Sequence, residues 1–226
     1  MGFMQLRFAD RKAAGDILAE LLWQSIPEAH KQDVTILGIP RGGAVIAKQV
    51  SVKFSTKPEL VVAKKILAPG SDEDAIGAIA PGEPEYLDSR LLVRMNIDPN
   101  DINAMIAQTR QEVAFRQELY LGKSESIPRI TGKTVVLVDD GAATGATLIA
   151  SARFVKKRNP SLLVIGVPVA TKSSKALLEK EADKLVTIVE AKEKFRAVGQ
   201  FYKSFIPISH EDVLDIIGNT RAQHSK

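Results

Sequence analysis

The stretch Thr134-Val135-Val136-Leu137-Val138-Asp139-Asp140-Gly141-Ala142-Ala143-Thr144-Gly145-Ala146-Thr147 decides how this chain folds. Its first five residues are apolar or β-branched, the composition of a strand buried on both faces. Two adjacent carboxylates end the run, a small-residue turn follows, and helical spacing takes over at about Gly145–Arg158. Gly and Ala leave the turn's backbone N–H groups open to an anion. The helix start adds partial positive charge, and Thr144 and Thr147 add hydroxyl donors. Such a loop binds a phosphate monoester. Asp139 and Asp140, at the strand end, are placed to accept hydrogen bonds from vicinal hydroxyls or to hold Mg²⁺ through its waters. In an open α/β sheet, ligands sit at this carboxyl edge.

Two other phosphate-binding patterns fail on residues. A P-loop needs four residues between its glycines and a Lys after the second. Here three residues separate Gly141 from Gly145, and Ala146 stands where that Lys would be. A dinucleotide fingerprint needs G-x-G-x-x-G at a helix start, and none is present. The remaining reading without ligand chemistry is a small-residue turn bearing two solvent-facing aspartates.

Outward from this stretch the same alternation repeats. Val34–Ile39 and Leu60–Ala63 read as buried strands, Leu162–Val169 and Lys184–Val189 as further strands, and Gly42–Phe54 and Ser173–Glu181 as helices. Asp10 caps an amphipathic helix carrying Ile17, Leu18, Leu21 and Leu22 to about Ser25. This predicts an α/β fold with an open, mostly parallel sheet and helices on both faces. About seventy residues separate the second strand from Val135, too many for a simple connection. Leu67–Asp88, rich in Pro, Gly and acids and carrying the small-residue string Ala75-Ile76-Gly77-Ala78-Ile79-Ala80, reads as a mobile hairpin or flap that would close as a lid. Asp98–Leu121 reads as a long helix. We therefore expect one domain over residues 1–226, with an inserted flap and helical hood lobe over 67–130. The tail adds Phe195, Phe201, Tyr202 and Phe205, then a helix capped near Ser209.

Composition narrows the function classes. A chain of 226 residues can bury one sizeable core, and 45% hydrophobic with 26% charged residues suits a globular domain. The longest apolar run, Leu162–Ala170, is far short of a membrane span. Met1–Asp10 resembles neither a signal nor a transit peptide. Cysteine is absent, which removes disulfides, thiolate metal sites and a Cys nucleophile, and fits a cytoplasmic protein. The formal charge of +4 is dispersed, so an anionic small molecule accounts for it and a nucleic-acid partner is disfavoured. His30, His210 and His224 show no ligand spacing.

The string from Thr134 to Thr147 resembles the signature of type I phosphoribosyltransferases, which bind 5-phosphoribosyl 1-pyrophosphate (PRPP). The resemblance extends to Gly38-Ile39-Pro40-Arg41-Gly42-Gly43, where that family places its pyrophosphate loop. Arg41 can offer a bidentate fork to a diphosphate, and Gly42 and Gly43 permit close backbone approach at a helix start. In similar transferases, basic residues at the place of Lys64-Lys65 help neutralise the pyrophosphate; a pair of solvated lysines is the alternative. Phe8-Ala9-Asp10-Arg11, Ala75-Ile76-Gly77-Ala78 and Phe195-Arg196-Ala197-Val198-Gly199-Gln200-Phe201-Tyr202 are similar to a group of phosphoribosyltransferases whose acceptor is unassigned.

The resemblance implies transfer of a phosphoribosyl group from PRPP to a small nitrogenous acceptor, with Mg²⁺ as cofactor. Asp139 and Asp140 would be catalytic, holding ribose hydroxyls and, through water, the metal. Gly141, Ala142, Ala143, Thr144, Gly145, Ala146 and Thr147 would bind the 5-phosphate, and Arg41, Gly42, Gly43, Lys64 and Lys65 the pyrophosphate. A homodimer is implied as well. One departure matters: relatives acting on 6-oxopurines carry an acid in the loop where Ala143 stands, which argues against hypoxanthine or guanine. The other class of function is a PRPP-sensing regulator without transfer. Retention of Arg41 and the lysines favours the enzyme, and so does the short segment before the first strand, which leaves little room for a DNA-binding module.

Overall fold

The computed structural model describes residues 7–71, 75–82, 84–122, 129–191 and 195–218. Its elements are α1 (Arg11–Ser25), β1 (Val34–Gly38), α2 (Gly42–Lys53), β2 (Pro58–Leu60), β3 (Lys64–Leu67), β4 (Ala75–Ile79), β5 (Pro84–Leu87), α3 (Ser89–Met95), α4 (Pro99–Leu121), β6 (Thr134–Val138), α5 (Ala146–Lys156), β7 (Leu162–Thr171), α6 (Lys172–Leu178), β8 (Lys184–Ala191) and α7 (His210–Ile216). Five strands form one sheet in the order β2-β1-β6-β7-β8, and each neighbouring pair is parallel. The α/β class and the parallel sheet read from the sequence are what the chain adopts.

Alternation along β6 shows why both faces are covered. Val135 and Leu137 face one cluster with Leu148, Ile149 and Val155 of α5. Val136 and Val138 face the other, with Leu18 and Leu22 of α1 and Ile46 and Val50 of α2. All four strand residues are buried, and each such side chain contributes about 1.5–3 kcal/mol on burial. Asp10 caps α1 by accepting from the Ala13 N–H at 2.8 Å, a bond worth about 1 kcal/mol.

The insertion read as a hairpin or flap followed by a long helix holds antiparallel strands and α4. β3, β4 and β5 form a separate antiparallel sheet in the order β3-β4-β5. The small-residue string Ala75–Ile79 is its central strand and is buried at all five positions. It packs on α5, while α4 packs on β3 and β4. Within the expected flap the strand Ala75–Ile79 is buried; residues 72–74 and 83 of that flap lie outside the described residues.

One strand boundary and one helix also differ from the sequence reading. Leu60–Ala63 was expected as a strand, yet the parallel ladder ends near Leu60, with Val61 N–H bonded to the Gly38 carbonyl at 3.1 Å. Val61, Val62 and Ala63 stay buried while crossing to the second sheet, and an apolar run cannot distinguish these two fates. α3 was not foreseen because it buries no residue fully; Asp88 caps it and Asn96, at φ 48°, ends it. Among the described residues no helix is long and apolar enough to cross a membrane.

Candidate functional site

Register builds the site. β1 and β6 pair in parallel, with Gly38 opposite Val138, so the chain leaves both strands at the same height. Ile39-Pro40-Arg41-Gly42 and Asp139-Asp140-Gly141 therefore emerge side by side at the carboxyl edge. From β1 the chain goes on to β2 on one side, and from β6 to β7 on the other. That is the switch point where such sheets open a crevice. A cleft of about 240 Å³ lies there, lined by residues of both loops together with Ala63, Lys65, Thr147 and Val198. The peptide bond Pro40–Arg41 is cis.

The loop after β6 is anchored from behind. The Ala142 carbonyl accepts from Thr171 N–H at 3.1 Å and from the Ser174 hydroxyl at 2.8 Å. The Ala143 carbonyl accepts from the Thr171 hydroxyl at 2.8 Å. A trans peptide sets its N–H opposite its C=O, so with both carbonyls drawn toward β7 and α6, the amides of Ala143 and Thr144 are directed to the cleft side. Gly145, at φ 77°, turns the chain into α5, a conformation in which a side chain is strained. Gly141 lies beneath Val198 and Val169; a Cβ there would come within 2.6 Å of Val198. Thr171 and Ser174 carried no motif signal, because their part is to hold backbone rather than ligand.

The two acids face different surroundings. Asp139 accepts from the Asp140 N–H at 2.8 Å and lies close to Gly43. Burial, then the neighbouring Asp140 charge, pushes its carboxyl well above the usual range. Burial raises Asp140 too, opposed chiefly by Arg11. The Arg11 Nε–H donates to Asp140 Oδ2 at 2.7 Å, and its Nη1 donates to the Ile206 carbonyl at 2.8 Å. The guanidinium lies 3.6 Å from the centre of the Phe205 ring. Tyr202 donates its hydroxyl to the Asp140 carbonyl at 2.6 Å, and residues 8 and 9 hydrogen-bond residues 201, 203 and 204. The chain's N-terminal segment and its aromatic tail thus clasp the second acid. Sequence reading missed Arg11 as a site residue, since no local pattern joins it to Asp140, 129 positions away.

The basic residues divide. Arg41 and Lys65 line the cleft. Lys64, one place along β3, does not line it and instead forms an ion pair with Glu112 of α4. Strand alternation sends the two lysines to opposite faces. Beside this loop, the buried Tyr120 hydroxyl hydrogen-bonds His210 Nδ1 at 2.6 Å. Burial, then the charges of Arg41 and Arg116, holds His210 below its ordinary range.

Among the described residues no three His, Cys, Asp or Glu side chains converge as a metal site. Among the described residues that line the cleft, only Asp139 and Asp140 offer carboxylates. A divalent ion there would complete its shell with water and ligand phosphate, the usual manner for Mg²⁺. The donor set fits that ion.

The comparisons with known proteins agree with this geometry. The model of the phosphoribosyl transferase domain matches residues 4–202. Two Mycobacterium tuberculosis proteins, provisionally named as phosphoribosyl transferases, are 31% identical over 207 residues, 92% of this chain. The chain spans only 45% of their length. The crystal structure of TT1426 from Thermus thermophilus is 34% identical, with a TM-score of 0.74 over 94% of this chain and 98% of that one. A Neisseria gonorrhoeae protein solved with bound ppGpp shares the fold at 11% identity, with a TM-score of 0.50 over 97% of this chain and all of its own. With nearly nine-tenths of its length matched by the family model, and the loop, acids and switch point arranged as described, this chain belongs to the phosphoribosyl transferase domain family.

Proposed function

We propose that the cleft binds PRPP and that the chain transfers its 5-phosphoribosyl group to a nitrogenous base, releasing pyrophosphate. The observation that supports this most is the β1–β6 register, which sets Asp139 and Asp140 between an amide-lined loop and Arg41. In this reading the amides of Ala143 and Thr144, with the start of α5, hold the 5-phosphate and so fix the orientation of the ribose. Arg41 and Lys65 hold the diphosphate, and Asp139 and Asp140 accept from the ribose hydroxyls. Asp139 and Asp140 would hold Mg²⁺ through water, and the ion would supply charge neutralisation of the leaving group.

The bond from C1 to the diphosphate oxygen breaks and the bond from C1 to the acceptor nitrogen forms; an acceptor that carries a proton on that nitrogen releases it to solvent or to the departing diphosphate. Ala143 offers no base for that proton, so the reading favours an acceptor other than a 6-oxopurine. A homodimer and a cytoplasmic setting complete the proposal. The test is pyrophosphate release from PRPP with Mg²⁺ across purine, pyrimidine and pyridine bases, with Asp139→Asn/Asp140→Asn as control. Release that needs one base and vanishes in the control supports the reading. Tight PRPP binding without release under any base points instead to a sensor.

A further inference from the structure

Arg11 is an unusual residue to find at the first position of a surface helix. It is only 9% exposed, and its guanidinium is held by the Asp140 carboxylate, the Ile206 carbonyl and the Phe205 ring. It does not line the cleft, yet it binds a residue that does. On the other side, Asp140 Oδ2 is pressed against Gly42, where an added Cβ would lie 1.9 Å from it. The carboxylate is thus fixed between Gly42 and Arg11.

This pairing changes what the acids can hold. Two adjacent free carboxylates are a ready site for a divalent cation. Here Asp139 and Asp140 are set among Arg11, Arg41 and Lys65, so the cations in and behind the cleft outnumber the acids. A lone divalent ion finds one acid neutralised and the surroundings positive, whereas a phosphorylated ligand brings the negative charge that both the protein cations and the metal require.

We propose that Arg11 is a positioning residue for Asp140 that prevents the acidic pair from taking a divalent cation alone, so that the cation enters only with a phosphorylated ligand. The proposal rests on reading the acidic pair as the cation-associated part of the site. Its test contains no PRPP and so is independent of whether PRPP is the substrate.

The experiment titrates Mn²⁺ alone into the phosphate-free protein and follows loss of the free Mn²⁺ paramagnetic resonance signal. The wild-type chain is expected to bind weakly. Arg11→Gln, which frees the Asp140 carboxylate, is expected to bind at least tenfold more tightly, and Arg11→Gln/Asp140→Asn to return to the wild-type value. Arg11→Lys, which keeps the charge, should stay near wild type. A purely structural role for Arg11 would lower the melting temperature of Arg11→Gln without raising its Mn²⁺ affinity, and that result overturns the proposal. So does a wild-type protein that already binds Mn²⁺ tightly through Asp140. If Arg11→Gln does not fold, Phe205→Ala, which removes the ring beneath the guanidinium, serves instead: a severalfold gain in Mn²⁺ affinity supports the proposal and no gain overturns it.

Discussion

Gly42→Ala is a small change with a large expected consequence. Gly42 opens α2, and in a helix Ala is preferred to Gly by about 1 kcal/mol. Propensity alone therefore predicts a more stable protein. The surroundings predict the reverse, because the new Cβ would lie 1.9 Å from Asp140 Oδ2, 2.5 Å from its Cγ and 3.1 Å from Arg11 Nε. The carboxylate must move, and the 2.7 Å bond to Arg11 breaks. A hydrogen bond between charged groups is worth about 1.5–3 kcal/mol, so after the gain of about 1 kcal/mol in helix propensity the net effect is a loss of about 0.5–2 kcal/mol. For a chain of this size that lowers the melting temperature by about 1–8 °C. Thermal unfolding of wild type, Gly42→Ala, Asp140→Ala and the double variant measures it. In the Asp140→Ala background the clash is gone, and Gly42→Ala should be neutral or stabilising. A Gly42→Ala protein that melts at or above wild type would refute the reasoning.

Three further outcomes follow from the geometry. Lys65→Met should weaken pyrophosphate binding about tenfold in calorimetry, while Lys64→Met, which loses only its pair with Glu112, should leave it unchanged. Asp139 is raised by burial and by the Asp140 charge, so the unfolded chain gives up this proton first and the ionised group costs stability as pH rises above the ordinary carboxylate range. Asp139→Asn should then melt no lower than wild type at neutral pH, although under the proposed function it loses transfer. His210 is lowered by burial and by Arg41 and Arg116, so the unfolded state takes up its proton first and stability falls as pH drops below about 6.5. Denaturant midpoints at pH 7.5 and 5.5 should differ less in His210→Gln than in wild type.

The parts of the fold carried by local pattern were legible in the sequence. The β6 run, its acids and the turn into α5 announce themselves within fourteen consecutive residues, and the capped starts of α1, α4 and α7 follow from Asp10, Asp98 and Ser209. What was not legible depends on pairing across distance. The string Ala75–Ile79 can be read as part of a hairpin, but its burial as a central strand depends on partners on α5 about seventy positions away. Lys64 and Lys65 look equivalent in sequence and part only when β3 assigns them to opposite faces. Arg11, Thr171 and Ser174 act through Asp140 and the loop carbonyls, contacts that no spacing rule encodes.

The central claim is that the cleft between β1 and β6 is a PRPP site. Calorimetric titration of PRPP in the presence of Mg²⁺ tests it most directly, with Asp139→Asn/Asp140→Asn as the control. The account predicts saturable binding at one site per chain that the control loses. Absence of binding in the wild type, or equal binding in the control, would contradict it.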